Sequence, residues 1–355
     1  MGENTALFLF AAAPVLIGVV LFKLARRNER RLPRAKTKTS WTSLVLGNCL
    51  VLVFLLSSGL LAGEVYFRFF HDTTDSVNFS RVSRRWFSRY WYTRNDLGCR
   101  DNVDYYLAVE PGKRRVSFLG DSFTAGQGIK NLEHRFVNRI RSHRSDWEIH
   151  MLADLGWDTD SELNFLKYAV THNYQLDNVV LVFCLNDVSD LIPRWMDSVR
   201  SADAEIRHAG WLIQNSYFLN FLYAHWQIMR NPYTKDYYAF IGDGYRGDIW
   251  DKEVKQLREL RDLVYAHGGK LMVVTFPFVN AVGPNYPYAA IHKQLNEFWK
   301  AENVPHLDLL SVYKNEAATK LTINRFDAHP SEYAHQLAAE AIEKFVAQNL
   351  SPIQK

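Results

Sequence analysis

An apolar run, Val116–Leu119, stops at Gly120-Asp121-Ser122 and gives way to a glycine-bearing loop that ends at Gly128. A buried strand ends in this manner when it delivers a polar side chain to the rim of a sheet. Similar runs recur at Glu148–Leu155, Val179–Leu185, Leu271–Phe276 and His306–Leu309. Helical patterns fill the spaces between and after them, at Leu132–His143, Ser161–Thr171, Lys252–His267, Ile291–Ala301 and Pro330–Gln348. Gly268-Gly269 stops one of these helices, and Pro330 is expected in the first turn of the last. Strands apolar almost throughout, alternating with helices, predict an α/β fold with a parallel sheet covered on both faces. Ligands of such sheets sit at the carboxyl ends of the strands, which makes Ser122 a candidate nucleophile.

Two further apolar runs precede this pattern. Ala6–Phe22 and Leu44–Gly63 carry no charge, and between them lie eight Lys and Arg residues, from Lys23 to Lys38, against Glu29 alone. A membrane-spanning helix needs roughly 20 apolar residues, and a signal peptide needs a basic segment before its core, which Met1–Thr5 lacks. Residues 1–63 therefore read as a two-helix hairpin in a lipid bilayer. The positive-inside rule puts the basic loop in the cytoplasm and the chain after Gly63 on the other side. The formal charge of +4 is concentrated in that loop, so the rest of the chain is net negative, and no nucleic-acid partner is expected.

Residues 64–94 interleave aromatics with arginines. They suit either a stalk along the membrane surface or a helix packed on the domain by its aromatic face. The domain itself is expected over 95–355. The interval 189–250 breaks the strand–helix alternation; its aromatics read as an amphipathic helix packed on the body or as a helical cap whose side chains meet substrate. Cys49, Cys99 and Cys184 have no metal-ligand spacing, and pairing of Cys99 with Cys184 is left open. The glycines around Ser122 lack the Gly-Lys-Ser/Thr ending of a phosphate loop and any dinucleotide fingerprint. No cofactor and no metal are expected.

A serine nucleophile needs a base, and the base needs a group that fixes its tautomer. Asp327-Ala328-His329-Pro330 supplies both. Proline biases His329 toward extended geometry, and residues i and i+2 of an extended segment project to one side, so the Asp327 carboxylate reaches the imidazole. Acyl transfer also needs donors for an oxyanion. Gly156 and Asn186 each follow a strand, and with the N–H of Ser122 they make three such donors.

With these four elements in order, the chain resembles the SGNH hydrolase superfamily, also called GDSL esterases. Gly120-Asp121-Ser122 matches its first block, Gly156 its second, Asn186-Asp187 its third, and Asp327 with His329 its fifth, over roughly Asn95 to Leu350. Cys184 stands where the third block usually has glycine, and one residue rather than two separates Asp327 from His329. The resemblance implies a flavodoxin-like doubly wound sheet, with Ser122 as nucleophile, His329 as base, Asp327 as its orienter, and Ser122, Gly156 and Asn186 as the oxyanion hole. The expectation is a membrane-anchored serine esterase acting outside the cytoplasm on an acylated envelope glycan, lipid or small molecule. Two alternatives stay open: a glycan O-acyltransferase using the same residues, and a non-catalytic envelope protein.

Overall fold

The structure, a computed structural model, describes residues 4–29, 40–231, 235 and 237–350. Most of the basic loop between Lys23 and Lys38 lies outside the described residues. Five strands form one parallel sheet: β1 (Arg114–Gly120), β2 (Trp147–Ala153), β3 (Asn178–Cys184), β4 (Lys270–Phe276) and β5 (His306–Asp308). Their order is β2-β1-β3-β4-β5, with every neighbouring pair parallel. This is the flavodoxin-like order, whose switch point lies between β1 and β3. Every residue of β2 and β3 is buried. β3 is apolar on both faces beyond Asn178, whereas β2 buries Glu148 and His150 on one face, paired with each other at 3.1 Å and, through Glu148, with Arg115 at 2.7 Å.

Two pairs of helices cover the sheet. The helix Phe136–His143 packs with Glu332–Asn349, and Thr159–Thr171 packs with Gly247–Ala266. A small antiparallel pair, β6 (Thr322–Asn324) and β7 (Asp327–Pro330), precedes the last helix. Pro330 thus closes a strand instead of opening a helix. Ser331 caps that helix, its hydroxyl accepting from the N–H of Ala334 at 3.2 Å.

Two compact units are present. The smaller holds residues up to Thr73, Phe79–Arg85 and Ser201–Arg230; the larger holds Thr74–Asn78, Trp86–Arg200 and the chain from Asn231 onward. The smaller contains α1 (Thr5–Glu29) and α2 (Trp41–Val65), the latter prolonged by a π-turn, Tyr66–Phe70. Both are long and apolar enough to cross a membrane; in chain order they are followed by α3 (Arg81–Tyr90), α4 (Ser122–Ala125), α5 (Phe136–His143), α6 (Thr159–Thr171) and α7 (Pro193–Arg207).

These units cut across the segments expected from sequence. Residues 64–94 are not one stalk: Trp86 and Trp91 are buried in the core of the larger unit. The interval 189–250 is not one cap either, because Ser201–Arg230 clusters with the apolar helices of the smaller unit.

The core of the larger unit holds acids without partner cations. Glu162 is fully buried, and neither of its carboxylate oxygens has a hydrogen-bond partner among the described residues. Burial pushes its pKa well above the ordinary range, and the neighbouring Asp121, Glu253 and Asp158 add to the shift. Burial likewise raises Glu253 to about 7, against the hydrogen bond that its Oε1 accepts from Thr159 at 2.6 Å. Burial without a partner cation disfavours the charged form of such groups. A carboxyl whose folded pKa lies above its unfolded value costs stability as pH rises between the two. Replacing Glu253 by the isosteric glutamine is therefore expected to leave stability unchanged near pH 4. At pH 8 it should stabilise the chain by about 3 kcal/mol, at 1.36 kcal/mol per pKa unit. Urea midpoints of the full chain in detergent at both pH values check this, and a gain independent of pH would contradict it.

Candidate active site

β1 ends at Gly120, and the chain turns at once into a single helical turn, Ser122–Ala125. Glycine is required at position 120 because a Cβ there would lie 3.1 Å from the carbonyl oxygen of Val182 on β3 and would strike the Thr124 side chain. Asp121 caps the turn, Oδ1 accepting from the N–H of Phe123 at 2.8 Å. Gly126 closes it in the left-handed region, φ +75°, where a side chain would be strained. Ser122 is held between these two fixed ends, at the carboxyl edge of the sheet beside the switch point, and is 7% exposed.

The hydroxyl of Ser122 lies 2.8 Å from Nε2 of His329, 207 positions away in sequence. On the other side of the ring, Nδ1 lies 2.5 Å from Oδ1 of Asp327, which also accepts from the backbone N–H of His329 at 3.0 Å. His329 sits in β7, so the i, i+2 projection brings its carboxylate partner alongside. Burial opposes a charge on this imidazole, but the charge and hydrogen bond of Asp327, aided by the charge of Asp121, outweigh it and raise the pKa of His329. Asp327 is fully buried; burial works against its ionisation, but His329 and the Thr74 hydroxyl hold its pKa below the usual value.

Thr74 is a residue that the sequence did not single out. Its hydroxyl donates to Oδ2 of Asp327 across 253 positions. The second oxygen of the carboxylate is thereby occupied and the group cannot rotate away from the ring. Asp121 is another. Its Oδ2 accepts from the side-chain amide of Asn186 at 3.3 Å, tying the first motif to the third. That amide carries two hydrogens, and the Asp121 contact uses one of them. Gly156 is exposed, has φ +64° and has open space where a Cβ would be. A side chain at Gly156 is excluded by backbone strain, not by crowding.

Arg100, also unassigned from sequence, supports the loop behind the serine. Fully buried, it donates to the carbonyls of Ala125 at 3.2 Å, Gly126 at 2.6 Å and Ile129 at 2.6 Å. Arg135 donates to the Ala125 carbonyl as well, at 3.2 Å, and to that of Arg100 at 2.6 Å. Burial, with the charge of Arg135, lowers the pKa of Arg100 to about 9, which leaves it cationic at neutral pH.

A second buried histidine–aspartate pair exists, His292 Nδ1 to Asp308 Oδ1 at 2.8 Å, but Nε2 of His292 meets the Tyr286 phenol and not an aliphatic hydroxyl. It has the orienter without the nucleophile. Cys99 and Cys184 are buried free thiols whose pKa values burial raises, that of Cys99 to about 12. Among the described residues no group of three His, Cys, Asp or Glu side chains is placed to hold a metal ion.

No protein-family model and no curated protein matches the chain by sequence. Solved structures similar to it include a member of the lipolytic G-D-S-L family from Veillonella parvula, at 9% identity and TM-score 0.40, over 66% of this chain and 97% of that one. A lipase/acylhydrolase from Enterococcus faecalis matches at 14% identity and TM-score 0.38, over 68% and 100% of the two chains. The psychrotrophic esterase EstA from Pseudoalteromonas sp. matches at 12% identity and TM-score 0.38, over 66% and 98%. At such identities chemistry does not transfer from one protein to another, and the side chains of this one have to carry it.

Proposed function

We propose that the chain is a membrane-anchored serine esterase. The observation that carries this is the continuous line from Ser122 Oγ through His329 to Asp327, at 2.8 and 2.5 Å, with each member held by the backbone around it. A hydroxyl in contact with a neutral imidazole whose far nitrogen faces a carboxylate is set to lose its proton as it attacks a carbonyl carbon. His329 Nε2 takes that proton while the ester oxygen becomes an oxyanion. The N–H groups of Ser122 and Gly156 and the remaining amide hydrogen of Asn186 are assigned to that oxyanion. The imidazolium, stabilised by Asp327, then protonates the leaving alcohol. Water, deprotonated by the same nitrogen, releases the acid and restores Ser122.

Helices α1 and α2 support a membrane anchor by length and composition, and the basic loop between them supports a catalytic unit on the non-cytoplasmic side. A substrate at the envelope, an acylated glycan or lipid, fits that placement.

A fluorophosphonate probe is expected to label the wild-type chain in its membrane or in detergent, and Ser122→Ala is expected to abolish labelling. Absence of wild-type labelling in a folded preparation, or labelling that persists in Ser122→Ala, would refute the assignment.

The reaction needs His329 neutral, and its raised pKa places the acidic limb of kcat/KM above the ordinary imidazole value of about 6.5. Asp327→Asn removes the charge that raises it. This variant is expected to move the limb to lower pH and to cut turnover of a soluble acetyl ester by about 10⁴-fold. A limb that stays in place would separate Asp327 from the base.

Thr74→Val deletes one hydrogen bond to a charged group, worth about 1.5 kcal/mol or roughly tenfold in rate. Thr74→Ser restores the hydroxyl and is expected to restore the rate. Equal rates for valine and serine would show that the hydroxyl does not act through Asp327.

A further inference from the structure

In the smaller unit, α2 is followed in space by two helices from far along the chain, α8 (Trp211–Asn215) and α9 (Tyr217–Arg230). The two faces of α9 are the reverse of what water selects. Its buried face carries Asn220 and Gln227 beside Tyr217, Phe221 and Ala224, and its outward face carries Leu222, Trp226 and Met229, which are 48, 51 and 61% exposed. These three lie at i, i+4 and i+7, one stripe of a helix. Helices on a solvated surface keep polar side chains outside.

The inward polar groups are hydrogen-bonded, except that Asn220 Nδ2 is buried without a hydrogen-bond partner among the described residues. Asn220 Oδ1 accepts from the N–H of Arg81 at 2.7 Å, and Gln227 donates to Glu205 at 2.6 Å and to the Tyr223 phenol at 2.8 Å. The orientation of α9 is therefore fixed by its hydrogen bonds, and no rotation can take the apolar stripe inward without breaking them.

The start of α9 is bolted to the end of α2. Glu64, fully buried, accepts from the N–H groups of Tyr217 at 3.2 Å and Phe218 at 3.1 Å and from the Ser216 hydroxyl at 2.7 Å, while Arg68 pairs with it at 2.8 Å. A carboxylate at a helix N-terminus satisfies donors that have no partner within the helix. Gly63 lets the two helices approach, since a Cβ there would lie 2.7 Å from the Phe218 ring.

The outward exposure on α9 matches that of Leu46, Leu55 and Leu56 on α2, at 60 to 62%. Trp211 and Leu212 of α8 are each 41% exposed, and neither α8 nor α9 carries a formal charge before Arg230.

We propose that α8 and α9 are a membrane-seated element, their outward face immersed in the lipid boundary of the bilayer that α1 and α2 cross. Fourteen residues of α9 rise about 21 Å, short of the roughly 30 Å hydrocarbon core, so α9 lies at the interface and does not span. Tryptophan on its lipid side suits that depth. The proposal rests on α1 and α2 being membrane spans, and the native cysteines allow the two to be tested apart. Cys49 is exposed on α2, whereas Cys99 and Cys184 are buried in the larger unit.

The full chain, reconstituted in phosphatidylcholine–phosphatidylglycerol vesicles, is labelled with bimane either at native Cys49 or at position 226 in the double variant Cys49→Ser, Trp226→Cys. Lipids bearing a doxyl group near the glycerol or at mid-chain then act as quenchers, and iodide reports exposure to water. The expected result is loss of emission at both positions with doxyl lipid, position 226 responding more to the shallow quencher, and no loss with iodide. Quenching of Cys49 by lipid with quenching of position 226 by iodide alone would overturn the proposal and leave the spans intact. Failure of doxyl lipid to quench Cys49 would overturn the anchor and the proposal together. Position 226 shielded from both quenchers would assign the face to a protein contact and also overturn it, with disulfide formation between copies of the unlabelled variant identifying that contact as self-association. Leu222→Cys in the Cys49→Ser background serves where Trp226→Cys does not fold, with fluorophosphonate labelling as the check on folding.

Discussion

The hydrogen bond between Ser122 and His329 joins positions 207 apart in sequence, and it forms only because the larger unit fixes both of its ends. A single bond of this type contributes about 1 kcal/mol net, far too little to position the segments it joins. The framework does that. On the serine side, the close contact of Gly120 with β3, the Asp121 cap and the buried guanidinium of Arg100 fix three successive parts of one turn. On the histidine side, β7 and the Ser331 cap fix the segment before the last helix. The bond is the result of that order, not its cause.

Buried ionisable groups in this unit divide by partner, and the division decides which of them works near neutral pH. Asp101 meets Arg135 at 3.3 Å and Arg141 at 2.6 Å, and Glu148 meets Arg115 at 2.7 Å, so these carboxylates stay charged and act as struts. Among the described residues Glu162 and Asp187 have no ion-pair partner, and burial lifts both pKa values well above the ordinary carboxylate range. Two fully enclosed histidines show the same logic with opposite signs. His335 is lowered to about 3 by burial and by the guanidinium of Arg135, and stays an uncharged packing group against Phe136. His329 suffers the same burial, but Asp327 and Asp121 reverse the outcome. Position beside carboxylates rather than arginines is what separates the proposed base, His329, from a packing histidine.

Much of this was legible in the chain because it depended on local rules. The first four parallel strands follow from apolar runs that stop at glycine, asparagine or proline, and the pairing of Asp327 with His329 follows from the alternation of an extended segment. Thr74 and Arg100 were not legible. Each acts on groups remote in sequence, Thr74 on Asp327 and Arg100 on the carbonyls of Ala125 to Ile129, and such contacts leave no periodicity behind. Pro330 was misplaced because proline fits the end of a strand as well as the start of a helix, and the choice was made by pairing with Thr322. The interval 189–250 misled for another reason. Its aromatics read either as the inward face of a helix packed on the body or as a cap over substrate, whereas in the structure Phe221 faces in beside Asn220 and Gln227 while Leu222, Trp226 and Met229 face outward.

The five residues Thr74–Asn78 bear on where the framework of the proposed site begins. They directly follow the segment that contains α2, and they belong to the larger unit. Ser76 donates its N–H to the carbonyl of Phe326 at 3.0 Å, and its hydroxyl accepts from the N–H of Ala328 at 2.9 Å, so both neighbours of Asp327 are held by one serine. Gln127, two residues past the turn that carries Ser122, donates to the carbonyl of Asp75 at 3.2 Å and exchanges hydrogen bonds with Asn78. This short segment thus braces the loops of His329 and Ser122, the proposed base and nucleophile, while Thr74 braces Asp327. A boundary at Asn95, natural from the sequence, would remove all three braces and keep every residue of the proposed triad. The framework of the site starts at Thr74, on the stretch of chain that emerges from the apolar helices.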